Sequence, residues 1–124
     1  MDVEFLAADC GDFLIWDHAV GGFTETTFFD KDGNPVRVTL HVRGLDHLYN
    51  TTNPAKAIEG NFSWNSQLDL QSGEEMRTGP VWHITAPKYG SLYFETGRWV
   101  WTNGELLFQT GLATGIEPIC EFLR

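Results

Sequence analysis

Apolar and polar side chains alternate along most of the chain, in short runs separated by turn-forming residues. Side chains on an extended strand point alternately to the two faces of a sheet, so this period of two predicts β-strands with one apolar face. Helical periodicity is weak everywhere, and the segment 118–123 fits either a strand or one helical turn. The predicted strands cover residues 12–20, 22–30, 35–43, 58–70, 80–86, 91–101 and 105–113, with a short further strand near 3–9 or 116–122.

Two turn sequences set the predicted register. Asp32-Gly33 lies between two β-like runs, and Asn103-Gly104 is the strongest short hairpin signal because both of its residues tolerate a positive φ. A further break is expected at Gly21-Gly22. Seven or eight strands at this spacing predict an all-β antiparallel meander, either a barrel or a sandwich, and we favour the barrel. No linker interrupts the pattern, so residues 1–124 are expected to form a single domain.

The hairpins assign one apolar face to the sheet. The first hairpin places Phe29 opposite Val36, and the second places Trp99 opposite Phe108. This face then forms either a solid core or an incompletely filled lumen that accepts a small apolar or aromatic molecule. Nine aromatic side chains are expected to line it: Phe23, Phe29, Phe62, Trp64, Trp82, Phe94, Trp99, Trp101 and Phe108.

Composition narrows the classes of partner. The formal net charge is −9, which opposes binding to nucleic-acid phosphates and to anionic lipid surfaces. No apolar run approaches the roughly 20 residues that span a bilayer, so no membrane insertion is expected. Residues 1–4 lack a basic segment followed by an apolar stretch, so we expect no signal peptide within this chain.

The chain has two cysteines, Cys10 and Cys120, one near each end. No CxxC motif or Cys/His cluster accompanies them. In a closed barrel the terminal strands are neighbours, so a Cys10–Cys120 disulfide is one interpretation and two unrelated buried thiols are the other. A disulfide would imply an oxidising compartment.

An ordered series of turn residues and glycines carries a family resemblance. The series is similar to that of a group of small exported β-proteins of unassigned function from actinobacteria and related soil bacteria, over roughly residues 10–123. The resemblance implies export and a Cys10–Cys120 disulfide, and it brings no catalytic residues. The architecture also resembles the allene oxide cyclase, dirigent and calycin type of barrel, although no diagnostic motif of those groups is present. The series is Gly44, Thr51-Thr52-Asn53-Pro54, Gly60, Gly79-Pro80-Val81-Trp82-His83-Ile84, Pro87, Gly90, Thr96-Gly97-Arg98-Trp99-Val100, Gly111, Cys120 and Phe122-Leu123.

Glu25 is the candidate catalytic residue. By parity it shares the apolar face with Phe23 and Leu40, and a carboxyl in such surroundings has a raised pKa and can act as a general acid or base. In the alternative interpretation, a shift at Gly21-Gly22 places Glu25 in water. Asp17, beside a tryptophan and a histidine, is a weaker candidate of the same kind.

The four histidines do not predict a metal site. They are His18, His41, His47 and His83, and none form a pair on one strand face. Asp46-His47 is expected near a strand end or in a loop. A site assembled from several strands is the alternative. Because the histidines are scattered, we expect no metal. No nucleophile elbow or phosphate-binding motif is present, so we expect no cofactor either.

These observations favour the binding of a small apolar or aromatic molecule inside an exported, disulfide-closed barrel. The alternative is a barrel enzyme, a cyclase, isomerase or hydrolase, that uses Glu25 for proton transfer. A third class is an interaction module with a solid core. A homodimer is an open alternative to a monomer.

Overall fold

One antiparallel sheet makes up most of the molecule. The computed structural model describes residues 1–124, and each strand pairs only with its neighbours in sequence. The all-β meander of seven strands is therefore confirmed, and the sheet curls into a half-barrel. The elements are β1 (Asp2–Asp9), β2 (Leu14–Phe29), β3 (Pro35–Asn50), β4 (Asn53–Asp69), β5 (Glu74–Ala86), β6 (Gly90–Thr102), β7 (Glu105–Ala113) and α1 (Glu117–Leu123).

The sheet is curled without being closed. Strands β1 and β7 are its two edges and do not pair with each other. The additional strand expected near either terminus is β1, whereas the C-terminal segment forms the helix α1. The predicted disulfide between Cys10 and Cys120 is present, but it joins the end of β1 to α1 rather than two adjacent strands.

The long strands β2 and β3 differ from the expected pattern of short ones. The predicted break at Gly21-Gly22 is wrong, because β2 runs through both residues. Gly21 lies opposite Gly44 in β3, and the ring of Phe62 fills the space above this pair of glycines. A side chain at Gly44 would overlap the Phe62 ring and a β2 carbonyl. These glycines therefore serve a close approach within the sheet, not a turn.

The Asn103-Gly104 hairpin forms as predicted, with φ of +51° and +82°. A bulge between Val100 and Trp101 then shifts the register of β6 and β7 by one residue. Because a one-residue shift reverses the face of a strand, Phe108 lies opposite Val100 instead of Trp99.

The Asp32-Gly33 hairpin also contains a bulge. Glu25 lies opposite Leu40 as predicted, but Phe29 lies opposite Pro35 rather than Val36. The carboxylate of Asp30 accepts backbone hydrogen bonds within this turn, at 2.9 Å from Asp32 and 3.0 Å from Asn34.

The main core lies at one end of the sheet, where α1 covers it. The face of the sheet that meets this core is called the inner face below. A smaller apolar cluster of Ala19, Val42 and Phe62 continues along the inner face. The main core contains Phe13, Ile15, Leu48, Ile58, Ile84, Ala86, Leu92, Tyr93, Ile119, Cys120 and Leu123.

Candidate functional site

An apolar groove opens on the inner face, where the edge strand β1 approaches β5. The Phe5 ring stacks on the Trp82 ring with centroids 6.4 Å apart and planes 8° apart. Trp82 also meets Tyr93 edge to face at 5.9 Å, so two aromatic neighbours fix the position of its indole. The groove has a volume of about 230 Å³ and is lined by Met1, Val3, Phe5, Ala19, Val42, Asp46, Phe62, Trp64, Val81 and Trp82.

Two carboxyl groups are buried beneath this groove. Asp17 is 0% exposed and Asp46 is 1% exposed. Asp46 lies opposite Ala19 in the β2–β3 ladder, so it is a diagonal neighbour of Asp17 on the same face. We call these two residues the carboxyl pair. Asp46 lines the groove, whereas Asp17 lies behind it, toward the main core.

The carboxyl pair is poorly partnered by the rest of the protein. None of its four oxygens accepts a hydrogen bond in good geometry from another protein group. The Trp82 indole near Asp46 and the His47 backbone near Asp17 lower the pKa of each carboxyl by less than burial raises it. Burial raises the pKa of Asp46 to about 8, and a hydrogen bond and charge repulsion from Asp17 act in the same direction. Burial also raises the pKa of Asp17. Burial and mutual repulsion therefore both favour a protonated form of the pair, and the titrations of the two carboxyls are coupled.

Three of the nine predicted aromatic residues line the groove, namely Phe62, Trp64 and Trp82. The prediction of one continuous lumen lined by all nine is wrong. Phe23 and Phe29 lie near the far end of β2 and are 63% and 62% exposed. Nothing covers that end of the half-barrel, since α1 packs only at the other end.

The remaining aromatic residues divide between the two faces. Trp99 and Trp101 stay on the inner face and are half-buried. Phe94 points to the outer face, because the residues on either side of it in β6 lie opposite Ile84 and Trp82 of the inner face. The bulge beside Trp101 turns Phe108 outward as well. The assignment of Phe94 and Phe108 to the lumen is therefore wrong.

Glu25 is not buried. It has the predicted cross-strand partner, Leu40, but its side chain is exposed. It belongs to the uncovered part of the inner face, so sharing a face with apolar residues did not place it in an apolar environment. The prediction that Glu25 is desolvated is therefore wrong, although its place on the inner face is as predicted. The alternative interpretation, in which Glu25 lies in water, is the one observed, but without the shift expected at Gly21-Gly22.

Asp46 is the residue that the sequence analysis missed. The expected end of the strand at residue 43 left Asp46 near a loop, whereas β3 continues to Asn50. Had the strand been extended through Gly44, parity would have placed Asp46 on the face of Leu40 and Val42. Asp17, the weaker candidate, is buried between Ile15 and Ala19 of the same face.

The histidines lie apart from the carboxyl pair. The ring nitrogens of His18 and His47 each lie 2.6 Å from a carboxylate, of Asp2 and Glu59 respectively. His41 contacts an asparagine amide oxygen at 2.7 Å, and His83 packs edge to face on Phe94. No group of three His, Cys, Asp or Glu side chains converges as metal ligands would.

Helix α1 has seven residues, and no helix of the protein is long and apolar enough to cross a membrane. Comparison of the chain with protein-family models, with curated proteins and with solved structures found no match. The resemblance to exported bacterial β-proteins stays a prediction.

Proposed function

We propose that this protein binds a small apolar or aromatic molecule in the apolar groove. One observation carries the proposal: nine of the ten residues that line this open groove of about 230 Å³ are hydrophobic. Binding sites for small molecules combine apolar walls with few polar groups, and the groove has that character. Removing its apolar surface from water upon binding supplies the driving force.

The walls suit a flat ligand. Phe62, Trp64 and Trp82 present rings from neighbouring strands, and Phe5 closes the side formed by β1. Aromatic walls bury large areas while losing little conformational freedom. The bound molecule would lie across the gap between β1 and β5, where no backbone hydrogen bonds compete with it.

The alternative proposal of an enzyme using Glu25 is not retained. An exposed carboxyl lacks the desolvation that would adapt it to proton transfer near neutral pH. The buried carboxyl that borders the groove is Asp46 instead.

Export is part of the proposal. The disulfide between Cys10 and Cys120 is compatible with an extracellular location, because such bonds persist in oxidising compartments. We propose that the domain acts outside the cytoplasm, on a ligand encountered there.

Titration with the neutral fluorescent dye N-phenyl-1-naphthylamine tests groove binding. Two valines provide a matched pair: Val3 lines the groove and is 46% exposed, whereas Val20 is 47% exposed and lies on the other face. We expect Val3→Gln to weaken dye binding about tenfold, since a polar side chain replaces an apolar contact. Val20→Gln should leave binding unchanged.

The proposal fails if the dye does not bind to the folded wild-type protein. It also fails if the two substitutions weaken binding equally, because the dye would then occupy some other surface. Circular dichroism of both variants verifies that each retains the sheet.

A further inference from the structure

The groove contains an electrostatic imbalance. Asp46 is its one residue that is not hydrophobic, and it is 99% buried. Its oxygens, like those of Asp17, have no hydrogen-bond partner in good geometry. A buried charge without a partner is costly, so it either takes up a proton or meets a compensating cation. No cationic side chain of the protein pairs with the carboxyl pair. The α-ammonium of Met1, which lines the groove, donates instead to the Gly21 carbonyl at 3.1 Å.

The cationic side chains of the neighbouring strands contact groups other than the carboxyl pair. Arg77 of β5 lies on the inner face, where it stacks on Trp64 at 4.2 Å and pairs with Glu75 at 3.5 Å. His18 and His47 belong to the same strands as the carboxyl pair, but they point to the outer face and are bound to carboxylates there.

The other strands packed around the pair add no cationic side chain. On the inner face, β1 contributes Val3 and Phe5, and β4 contributes Ile58 and Phe62. Strand β6 contributes Tyr93 and Glu95, whose side chains are hydrogen-bonded to each other at 3.0 Å. The groove is thus electronegative at its floor and aromatic along its walls.

Those two properties together define a ligand class. An ammonium group is attracted both by a carboxylate and by the faces of Phe and Trp rings. Its hydrocarbon part would occupy the apolar remainder of the groove. The net charge of −9 favours the approach of a cation and disfavours an anion.

We propose that the groove binds an apolar amine, with the ammonium group on Asp46 and the hydrocarbon part against Phe62, Trp64 and Trp82. This inference rests on the proposed function, which requires only that the groove take an apolar molecule. The inference adds that the ligand carries a positive charge and that its ammonium group anchors it to Asp46. Asp17 does not touch the ligand and acts by sharing the charge and the proton of Asp46.

Such binding depends on pH in a defined direction. Because burial raises the pKa of Asp46 to about 8, an ammonium that binds at lower pH must displace the proton that the pair holds. Affinity for the amine should therefore rise as the pH increases from about 6 to about 8. A simple alkylamine stays charged over that range, since an alkyl ammonium resembles that of lysine, with a pKa of about 10.4.

Three matched probes test the inference: 2-phenylethylamine, 2-phenylethanol and 3-phenylpropanoate, which are cationic, neutral and anionic at about pH 8. Each is titrated against the complex with N-phenyl-1-naphthylamine, and its dissociation constant is obtained from dye displacement. We expect the amine to bind at least about tenfold more tightly than the alcohol, and the carboxylate to bind most weakly.

Two carboxyl substitutions localise the effect. Asp46→Asn should reduce the preference for the amine over the alcohol to about onefold, because the amide keeps the size but loses the charge. Glu95→Gln is the control, since Glu95 lies on the same face but does not line the groove. It should keep the wild-type preference.

The comparison of the amine with the alcohol on the wild-type protein tests the inference even if a variant does not fold. Equal displacement by amine and alcohol would overturn the inference while leaving apolar binding intact. Retention of the preference in folded Asp46→Asn would overturn the assignment to Asp46. Failure of the dye itself to bind would overturn the proposed function and the inference with it.

Discussion

At the scale of single residues, burial rather than residue type distinguishes the carboxyl groups. Glu25, Asp17 and Asp46 all occupy inner-face positions of β2 and β3. Glu25 lies beyond the part of the face that other elements cover and stays exposed, whereas Asp17 and Asp46 lie beside the core and are fully buried. Desolvation penalises the ionised form only where water is excluded, so the raised pKa values belong to the carboxyl pair.

The raised pKa of Asp46 predicts a dependence of stability on pH. In the unfolded chain this carboxyl ionises near 3.8, whereas in the folded protein it keeps its proton up to about 8. The folded state binds more protons between these values, so the free energy of unfolding should fall as the pH rises from about 4 to about 8. One such group contributes at most about 1.4 kcal/mol per pH unit.

Urea denaturation between about pH 5 and about pH 8 measures this slope. Asp46→Asn should make the decline with pH shallower, because the amide does not titrate. Glu25→Gln is the control and should keep the wild-type slope, since Glu25 is exposed. An unchanged slope in Asp46→Asn would contradict the assignment of a shared proton to the pair.

At the scale of elements, the contact between β2 and β3 depends on glycines that resemble turn signals in the sequence. Gly21 and Gly44 face each other in the ladder, and Phe62 of β4 lies over them. Phe62 also belongs to the apolar cluster that forms one wall of the groove. The position of that wall therefore depends on the absence of side chains at one position in each of the two preceding strands, β2 and β3.

Gly44→Ala should destabilise the protein by about 1–3 kcal/mol, since the added methyl group overlaps the Phe62 ring and a β2 carbonyl. Gly22→Ala is the matched control, because a methyl group there meets no atom within 4 Å. Its effect should lie within about 0.5 kcal/mol. Thermal and urea unfolding of both variants measure the difference, and equal losses of stability would contradict the close-approach interpretation.

At the scale of the whole molecule, the half-barrel depends on its C-terminal helix. Helix α1 covers one end of the inner face through Ile119 and Leu123. Its final turn is held by a buried hydrogen bond of 2.9 Å from the Asn50 side-chain amide to the Leu123 carbonyl. The disulfide connects this helix to the end of β1. The homodimer that the sequence left open stays a prediction.

Removing the disulfide should lower the free energy of unfolding by about 4–5 kcal/mol in the chain-entropy treatment, because the bond links residues 110 positions apart. The variant Cys10→Ser/Cys120→Ser and the wild-type protein in reductant should show the same loss in urea denaturation. A loss under about 1 kcal/mol in both would show that α1 and β1 are held without the bond.

The local pattern of the chain determined a large part of the fold. Alternation of apolar and polar residues indicated the all-β class, and turn chemistry located the Asn103-Gly104 hairpin, because both depend on neighbouring residues alone. The pairing of Cys10 with Cys120 was also expected, although through a closed barrel that did not form.

Only the tertiary structure decided which residues of the inner face form a site. Bulges beside Phe29 and Trp101 changed the register, and such one-residue insertions have no clear signature in the alternation. The curl that brings Phe5 to Trp82, and the helix that covers just one end, depend on contacts between distant parts of the chain. Burial is a property of that assembly, which is why Asp46 rather than Glu25 is the carboxyl at the groove.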